Sequence, residues 1–320
     1  MKMEKKKLLS VILLSYYSGE RITKCYNRLN DVFIKENIPF ELVVIDDGSS
    51  DDSYKIALSL EKKYDNVRAF QLSRNYGSFY ALMAGYSKAE GECACFVPDD
   101  EQQPYSSVVQ MYRLWEKGNK IIVANRESRD DPWLTKFFSE LFYRIINALS
   151  DNLNYPSGGV DVTLIDREVI DIINERIHPI NTNVVAEVLR LGYSPVMMPY
   201  KRPIGLNKGK SRWTFKKKLR LAKDIFYSSS TFPIKLITYI GVLTSFFSII
   251  GIVFHLYIRI FGNHQFWGTI VPGWTSLIVI VSLFSGLILF SLGVIAEYIW
   301  RIYDEVKARP GYIIKKKDDK

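Results

Sequence analysis

Phe96-Val97-Pro98-Asp99-Asp100-Glu101-Gln102-Gln103-Pro104 is where an apolar run, Ala94 to Val97, stops abruptly in adjacent carboxylates and then a helix-starting proline. The pattern is that of the carboxyl end of a buried strand. In open α/β sheets ligands gather at that edge, and carboxylates clustered there suit a hard divalent ion bound to a nucleotide's phosphates. A polar turn with an acidic helix cap has the same local pattern. What favours a ligand is a second acidic strand end earlier in the chain, where Phe40 to Ile45 runs into Asp46-Asp47-Gly48-Ser49-Ser50-Asp51-Asp52-Ser53.

Strand and helix alternate around these two stretches, which predicts a doubly wound α/β layer architecture. Leu8 to Ser15 reads as a first strand buried on both faces, because it lacks alternation. Lys5-Lys6-Lys7 ahead of it mimics the start of a signal peptide, but no small-residue cleavage site follows. A helix is expected over Glu20–Glu36, ended by Pro39, and Phe40–Ile45 is the second strand. Gly48 permits the turn after it, and the Ser/Asp cluster supplies caps for a helix over Tyr54–Tyr64. Val67–Leu72 is the third strand, Arg74-Asn75-Tyr76-Gly77 a turn and Ser78–Ala89 a helix. After the central strand come a helix over Ser106–Lys117 and a strand over Lys120–Ala124. A further helix over Trp133–Ser150 has Phe137, Leu141, Ile145 and Leu149 as its core stripe.

The chain has 320 residues, 48% hydrophobic and 14% aromatic, enough for one large or two smaller domains. Its formal net charge is +9, yet Lys201 to Lys223 alone holds ten basic residues and no acidic one, so the remainder is near neutral (9 − 10 = −1). A local basic stretch points to a membrane surface or a phosphorylated ligand, not to a nucleic-acid-coating protein. Three cysteines, Cys25, Cys93 and Cys95, cannot all pair and match no zinc spacing, as expected of reduced thiols in a cytosolic domain.

Two long apolar stretches follow the basic one. Leu236–Ile258 and Thr275–Ile299 carry no Lys or Arg and are long enough to cross about 30 Å of hydrocarbon. Gly262–Trp274 between them has no charged residue, whereas Lys201–Lys223 and Lys315-Lys316-Lys317 flank the pair. The positive-inside rule puts both termini in the cytoplasm. Just before the first stretch, Phe215, Leu219, Ala222, Ile225 and Phe226 share one helical face, with Lys216, Lys217, Arg220 and Lys223 elsewhere, which predicts an interfacial amphipathic helix. The expected organisation is a catalytic domain over 1–208, a juxtamembrane amphipathic region over 209–232, a transmembrane hairpin over 233–300 and a basic cytoplasmic tail over 301–320. Gly241, Ser245, Ser248 and Gly251 on the first span, with Ser282, Ser285, Gly286 and Gly293 on the second, are consistent with a homo-oligomer.

Leu14-Ser15-Tyr16-Tyr17, Val44-Ile45-Asp46-Asp47-Gly48-Ser49, Ser73-Arg74-Asn75-Tyr76-Gly77 and the Asp99-Asp100 strand end resemble, in that order, the motifs of family 2 glycosyltransferases with a GT-A fold, a Rossmann-like and mostly parallel sheet. Gly159 to Arg167, Tyr200-Lys201-Arg202 and Gly209-Lys210-Ser211-Arg212-Trp213 are similar to the polyprenyl-phosphate branch, which includes dolichol-phosphate mannose synthase and the bacterial undecaprenyl-phosphate glucosyltransferases. The resemblance implies a nucleotide-sugar donor, a polyprenyl-phosphate acceptor and a multi-pass protein of the inner (plasma) membrane.

A sugar nucleotide leaves a diphosphate behind, whose developing charge calls for Mg²⁺ or Mn²⁺. Asp100 is the expected metal ligand, with Asp99 its helper. The family motif is usually Asp-x-Asp, and aligning Gln102 and Pro104 with its continuation puts Pro98 at the first Asp and Gln103 where an acid is common. The resemblance assigns Tyr16, Glu20, Asp46, Asp47, Asn75 and Asp99 to the nucleotide, although Asp46 or Asp47 would also serve as a helix cap. It has Arg126 meeting a phosphate, and Arg202, Lys210 and Arg212 are candidates for the acceptor phosphate because guanidinium forks match phosphate oxygens. Membrane-surface attraction competes for each of these cations. Asp161 matches an acidic position near the reacting centre and equally suits a turn cap. Two other classes remain open. One is a family 2 enzyme with a hydroxyl acceptor, whose Gln-x-x-Arg-Trp motif is approached only by Ser211-Arg212-Trp213. The other is an inactive anchoring partner, suggested by Pro98 and Gln103.

Overall fold

The computed structural model describes residues 7–100, 103–126, 141, 144, 147–148, 156, 160–180, 183–200, 232–261, 265–266, 269–270 and 273–317. These fall in two compact units. One takes the chain up to Tyr200 and again from Arg309, and the other holds two long helices.

The first unit is built on a seven-stranded sheet of order β3-β2-β1-β4-β6-β5-β7. Its strands are β1 (Leu9–Ser15), β2 (Phe40–Asp46), β3 (Val67–Gln71), β4 (Cys93–Pro98), β5 (Ile121–Arg126), β6 (Val162–Asp166) and β7 (Val196–Tyr200). β1 pairs in parallel with β2 and β4, and β2 with β3. All seven residues of β2 are buried, which is why its sequence is a continuous apolar run and not an alternating one. Helices cover both faces. α1 (Arg21–Glu36), α2 (Ser53–Lys63) and α4 (Tyr105–Glu116) bury one cluster. α3 (Ser78–Lys88), α5 (Arg167–Arg176) and α6 (Val184–Arg190) bury the other.

Local chemistry sets the element ends. α1 buries Ile22, Cys25, Tyr26, Leu29 and Phe33, a stripe of helical period, and stops where Asn37 turns left-handed at φ 58 and Ile38 N–H reaches back to Phe33 O at 2.9 Å. The Ser/Asp cluster before α2 behaves differently from expectation. Asp52 makes no side-chain cap, and Ser53 Oγ instead accepts the N–H groups of Ser18 and Gly19, each at 2.9 Å. The cluster therefore ties two loops together. Leu9–Ser15 is a buried strand, as expected once a signal peptide is set aside.

A strand starting at Asp161 is expected from the sequence, but the direction of β6 is not. It runs antiparallel to both neighbours, β4 and β5, while β5 and β7 are parallel. Its start therefore lies at the edge where its neighbours end. The expected helix over Trp133–Ser150 lies almost wholly outside the described residues, and the amphipathic helix over Phe215–Phe226 lies wholly outside them.

In the second unit α7 spans Phe232–Phe261 and α8 Gly273–Val306, with a two-stranded ribbon, β8 (Gln265–Phe266) and β9 (Thr269–Ile270), between them. Both helices extend past the expected apolar spans. Among the described residues one stretch, Leu283–Val306, is long and apolar enough to cross a membrane. Its Leu289, Phe290, Ile299 and Trp300 are exposed.

Candidate active site

β1, β2, β3, β4, β5 and β7 all end at one edge of the sheet, and β6 begins there. Most of the residues singled out above gather along it. Ser15 is paired with Asp46, and Leu14 with Pro98, so the ends of β2, β1 and β4 lie side by side. Neighbouring strands are about 4.8 Å apart, which sets Asp46 and Asp99 roughly 10 Å from each other across β1.

After β1 the chain turns through Tyr16 to Gly19, with Tyr17 at φ 51 and Gly19 at φ 52. Left-handed backbone costs a tyrosine about 1–2 kcal/mol. Hydrogen bonds hold it there: Tyr17 N–H donates to Ser49 Oγ at 3.0 Å, and Tyr17 Oη lies 2.8 Å from Ser50 Oγ. The exposed rings of Tyr16 and Tyr17 meet edge to face, their centroids 4.6 Å apart. Glu20, at the start of α1, is exposed.

Asp46 and Asp47 end β2 in different ways. Asp46 is fully buried. Its carboxylate accepts from Ser49 Oγ (2.5 Å), Ser49 N–H (3.0 Å) and Gln71 Nε2 (2.9 Å). Asp47 accepts the N–H groups of Tyr76 and Gly77 at 2.7 and 2.9 Å, which closes the turn carrying the exposed Asn75 onto the end of β2. Gly48, at φ 71, is required there: a Cβ would stand 2.3 Å from the carbonyl carbon of Arg74. Burial pushes the Asp47 carboxyl up, the two backbone N–H donors oppose this, and the charge of Asp46 adds to it.

At the end of β4, Asp99 is buried and accepts from Ser18 Oγ at 2.6 Å, and Arg21 Nη2 lies 2.7 Å from the same oxygen. Ser18 also receives Ser15 Oγ and Tyr16 N–H, each at 3.0 Å. Asp100 follows, half-buried, in the turn after β4. Gln103 is buried and donates Nε2 to Ser107 Oγ at 2.9 Å in the first turn of α4.

On the other half of the edge, Val162 is paired with Ala124, and Asp161 N–H donates to Ala124 O at 3.2 Å. Asp161 thus stands at the start of β6, between the ends of β4 and β5. Tyr200, the last residue of β7, donates its hydroxyl to Asp161 Oδ2 at 3.0 Å. The backbone of Arg126 ends β5 at the same level. Arg202, Lys210 and Arg212 lie outside the described residues.

Among the described residues no group of three or more His, Cys, Asp or Glu comes together to hold a metal unaided. A Mg²⁺ or Mn²⁺ carried on a nucleotide's phosphates needs only one or two carboxylates from the protein. Asp100 at a strand end fits that smaller demand.

A family model described as Glycosyl transferase family 2 matches residues 10–172, which holds every strand end from Ser15 to Asp161. The chain belongs to glycosyl transferase family 2. Its described sheet is the mostly parallel α/β domain of a GT-A-like member, and the chain is a glycosyltransferase. It is 33% identical over 308 residues to glycosyltransferase YkcC of Bacillus subtilis (strain 168), covering 96% of this chain and 93% of that one. It is 30% identical over 311 residues to the SfII prophage-derived bactoprenol glucosyl transferase of Shigella flexneri, covering 96% and 97%. It is 28% identical over 321 residues to the undecaprenyl-phosphate 4-deoxy-4-formamido-L-arabinose transferase of Proteus mirabilis (strain HI4320), covering 98% and 94%.

Several residues that order this family 2 site were not singled out from the sequence. Ser18 carries no signal beyond a polar loop, and Ser49 and Ser53 read only as members of a helix-capping Ser/Asp cluster, with no sign of the loop they hold. Arg21 reads as a solvated residue at a helix start, Gln71 as an ordinary strand residue and Tyr200 as part of a motif with no stated partner. Their roles arise from strand ends meeting, and sequence spacing does not encode that.

Proposed function

We propose that this chain is an inverting hexosyltransferase that moves a sugar from a nucleotide-linked donor, UDP-linked in the simplest case, to a polyprenyl phosphate at the cytoplasmic face of a membrane. The single observation that carries the reading is the reach of its likeness to the Shigella bactoprenol enzyme. That likeness covers 96% of the chain and so takes in the two long helices beyond the family 2 domain.

The roles then follow from chemistry. Asp46, Asp47 and the turns they brace receive the nucleoside, with the exposed Tyr16, Glu20 and Asn75 beside them. Asp100 would hold the divalent cation, which when bound neutralises charge on the departing diphosphate. Asp99, occupied by Ser18 and Arg21, shapes the turn that presents Asp100. An oxygen of the acceptor phosphate attacks the anomeric carbon, the bond to the diphosphate oxygen breaks, and the diphosphate leaves with the electron pair. A phosphate monoester has a second pKa of about 6 and is already largely dianionic at neutral pH, so no enzyme base is required. Arg126, Arg202, Lys210 and Arg212 would hold that dianion, and Asp161, itself held by Tyr200, would orient the groups around it.

Two membrane crossings, by α7 and α8, complete the proposal. Residues before α7 and residues after α8 belong to one compact unit. A chain that leaves that unit for a bilayer and comes back to it crosses an even number of times.

The test uses the full chain in membranes with a panel of labelled nucleotide sugars, a short polyprenyl phosphate and Mg²⁺ or Mn²⁺. Label should pass to an acid-labile lipid phosphate of inverted anomeric configuration. Asp100→Asn should lower kcat by about 100-fold or more, as expected when charge stabilisation of a leaving group is lost. Transfer only to hydroxyl acceptors, or full activity in excess chelator, would sink the reading.

A further inference from the structure

The residues after α8 return to the sheet. Leu72 and Ile314 form an antiparallel bridge, Ser73 N–H donates to Ile313 O at 2.8 Å, and Lys315 N–H donates to Gln71 O at 2.8 Å. β3 is an outer strand of the sheet, and an outer strand exposes a row of peptide groups open to pairing. The tail occupies part of that row. It is seated by packing as well: Tyr312 and Ile314 lie against the core, and a Cβ on Gly311 would come 2.6 Å from Pro179 Cγ. Lys317 pairs with Glu61, and its ammonium lies 5.0 Å from the centroid of the Phe70 ring.

One contact reaches further than packing. Lys315 Nζ donates to Gln71 Oε1 at 2.9 Å, and Gln71 Nε2 donates to Asp46 Oδ2 at 2.9 Å and to Ser49 O at 3.3 Å. An amide has nearly the same shape when turned over, so its orientation is set by its partners. Turned over here, Oε1 would face the Asp46 carboxylate, acceptor against acceptor. An ammonium only donates, so Lys315 is compatible with one orientation, the one that completes the hydrogen bonding of the buried Asp46.

We propose that Lys315, in the C-terminal tail, is a positioning residue of the donor site, acting through the Gln71 amide on Asp46 and the Ser49 turn. This rests on the assignment of Asp46 to the nucleotide. Since the contact lies at the β3 end of the sheet, away from the strand ends that carry Asp100 and Asp161, its effect falls on nucleotide affinity.

Titration calorimetry of UDP with Mg²⁺ against the full-length protein in detergent, alongside steady-state kinetics, tests it. Lys315→Met should weaken UDP binding and raise the donor KM by about five- to tenfold, the net worth of a typical hydrogen bond. The acceptor KM and kcat at saturating donor should change less than about twofold, and Lys315→Arg should restore binding. In a Gln71→Leu background, Lys315→Met should have no further effect on binding, because the two substitutions break one chain of contacts. Wild-type UDP affinity in Lys315→Met, with affinity lost in Asp46→Asn, would overturn the role of the tail and leave the donor assignment standing. Wild-type affinity in both would overturn the donor assignment and the inference together.

Discussion

Single residues at the strand ends carry consequences that can be measured one at a time. Gly48→Ala needs a left-handed alanine and pushes a methyl group into the backbone of Arg74. Destabilisation on the order of 3 kcal/mol follows, read as a lower denaturant midpoint at unchanged slope. Asp47 supplies a pH signature. Its carboxyl titrates above the ordinary value of 3.8, through burial first and then the charge of Asp46, with the N–H groups of Tyr76 and Gly77 opposing. A carboxyl raised on folding binds more protons in the folded state, so its contribution to stability falls as pH rises from 3.8 through the folded pKa. Asp47→Asn has no carboxyl to titrate. The stability of wild type minus variant should therefore decline as pH increases across that window in chemical denaturation, and a difference independent of pH would show that Asp47 does not titrate this way. Asp161 bears on the reaction instead. If the acceptor phosphate needs no base, Asp161→Asn lowers kcat while the acid limb of kcat/KM stays with the acceptor's ionisation; a limb that shifts with Asp161 makes it the base.

Among elements, α5 shows how one side chain can serve two structures. Asp166 caps it by accepting Glu168 N–H at 3.1 Å and also accepts Trp115 Nε1–H at 2.7 Å from α4. Asp166→Ala loses a cap and orphans an indole N–H, for roughly 2–4 kcal/mol in thermal or denaturant unfolding. The strands and helices as far as β5 were legible because parallel strands buried on both faces read as unbroken apolar runs and Gly, Asp and Pro mark their ends. The direction of β6 was not legible. A five-residue strand has the same pattern whichever way it runs, and only its partners Cys95 and Ala124 settle the matter. The site divided along the same line. Acidic strand ends at Asp46 and Asp99 stand out in a sequence, whereas the pairing of Asp99 with Arg21 depends on how β4 meets α1. Lys315 and Gln71 are 244 residues apart, far beyond any local pattern.

For the whole molecule the testable matter is topology. With the tail hydrogen-bonded to β3, the chain on either side of α7 and α8 shares one compartment. Fluorescent protein fused to the C-terminus should be bright, and alkaline phosphatase fused there inactive, as the proposed cytoplasmic placement requires; the opposite pair of results would put the C-terminus on the other face and overturn that placement. The antiparallel entry of β6 has a consequence of another kind. The chain leaves the sheet at Arg126 and re-enters at Val162 beside Ala124, so everything in the interval begins and ends on the same pair of neighbouring strands. Lengthening such an interval changes closure entropy slowly, by about 0.6 kcal/mol per doubling. Two chains built on this plan can therefore differ in length between Arg126 and Val162 while the seam that joins β5 to β6 stays the same.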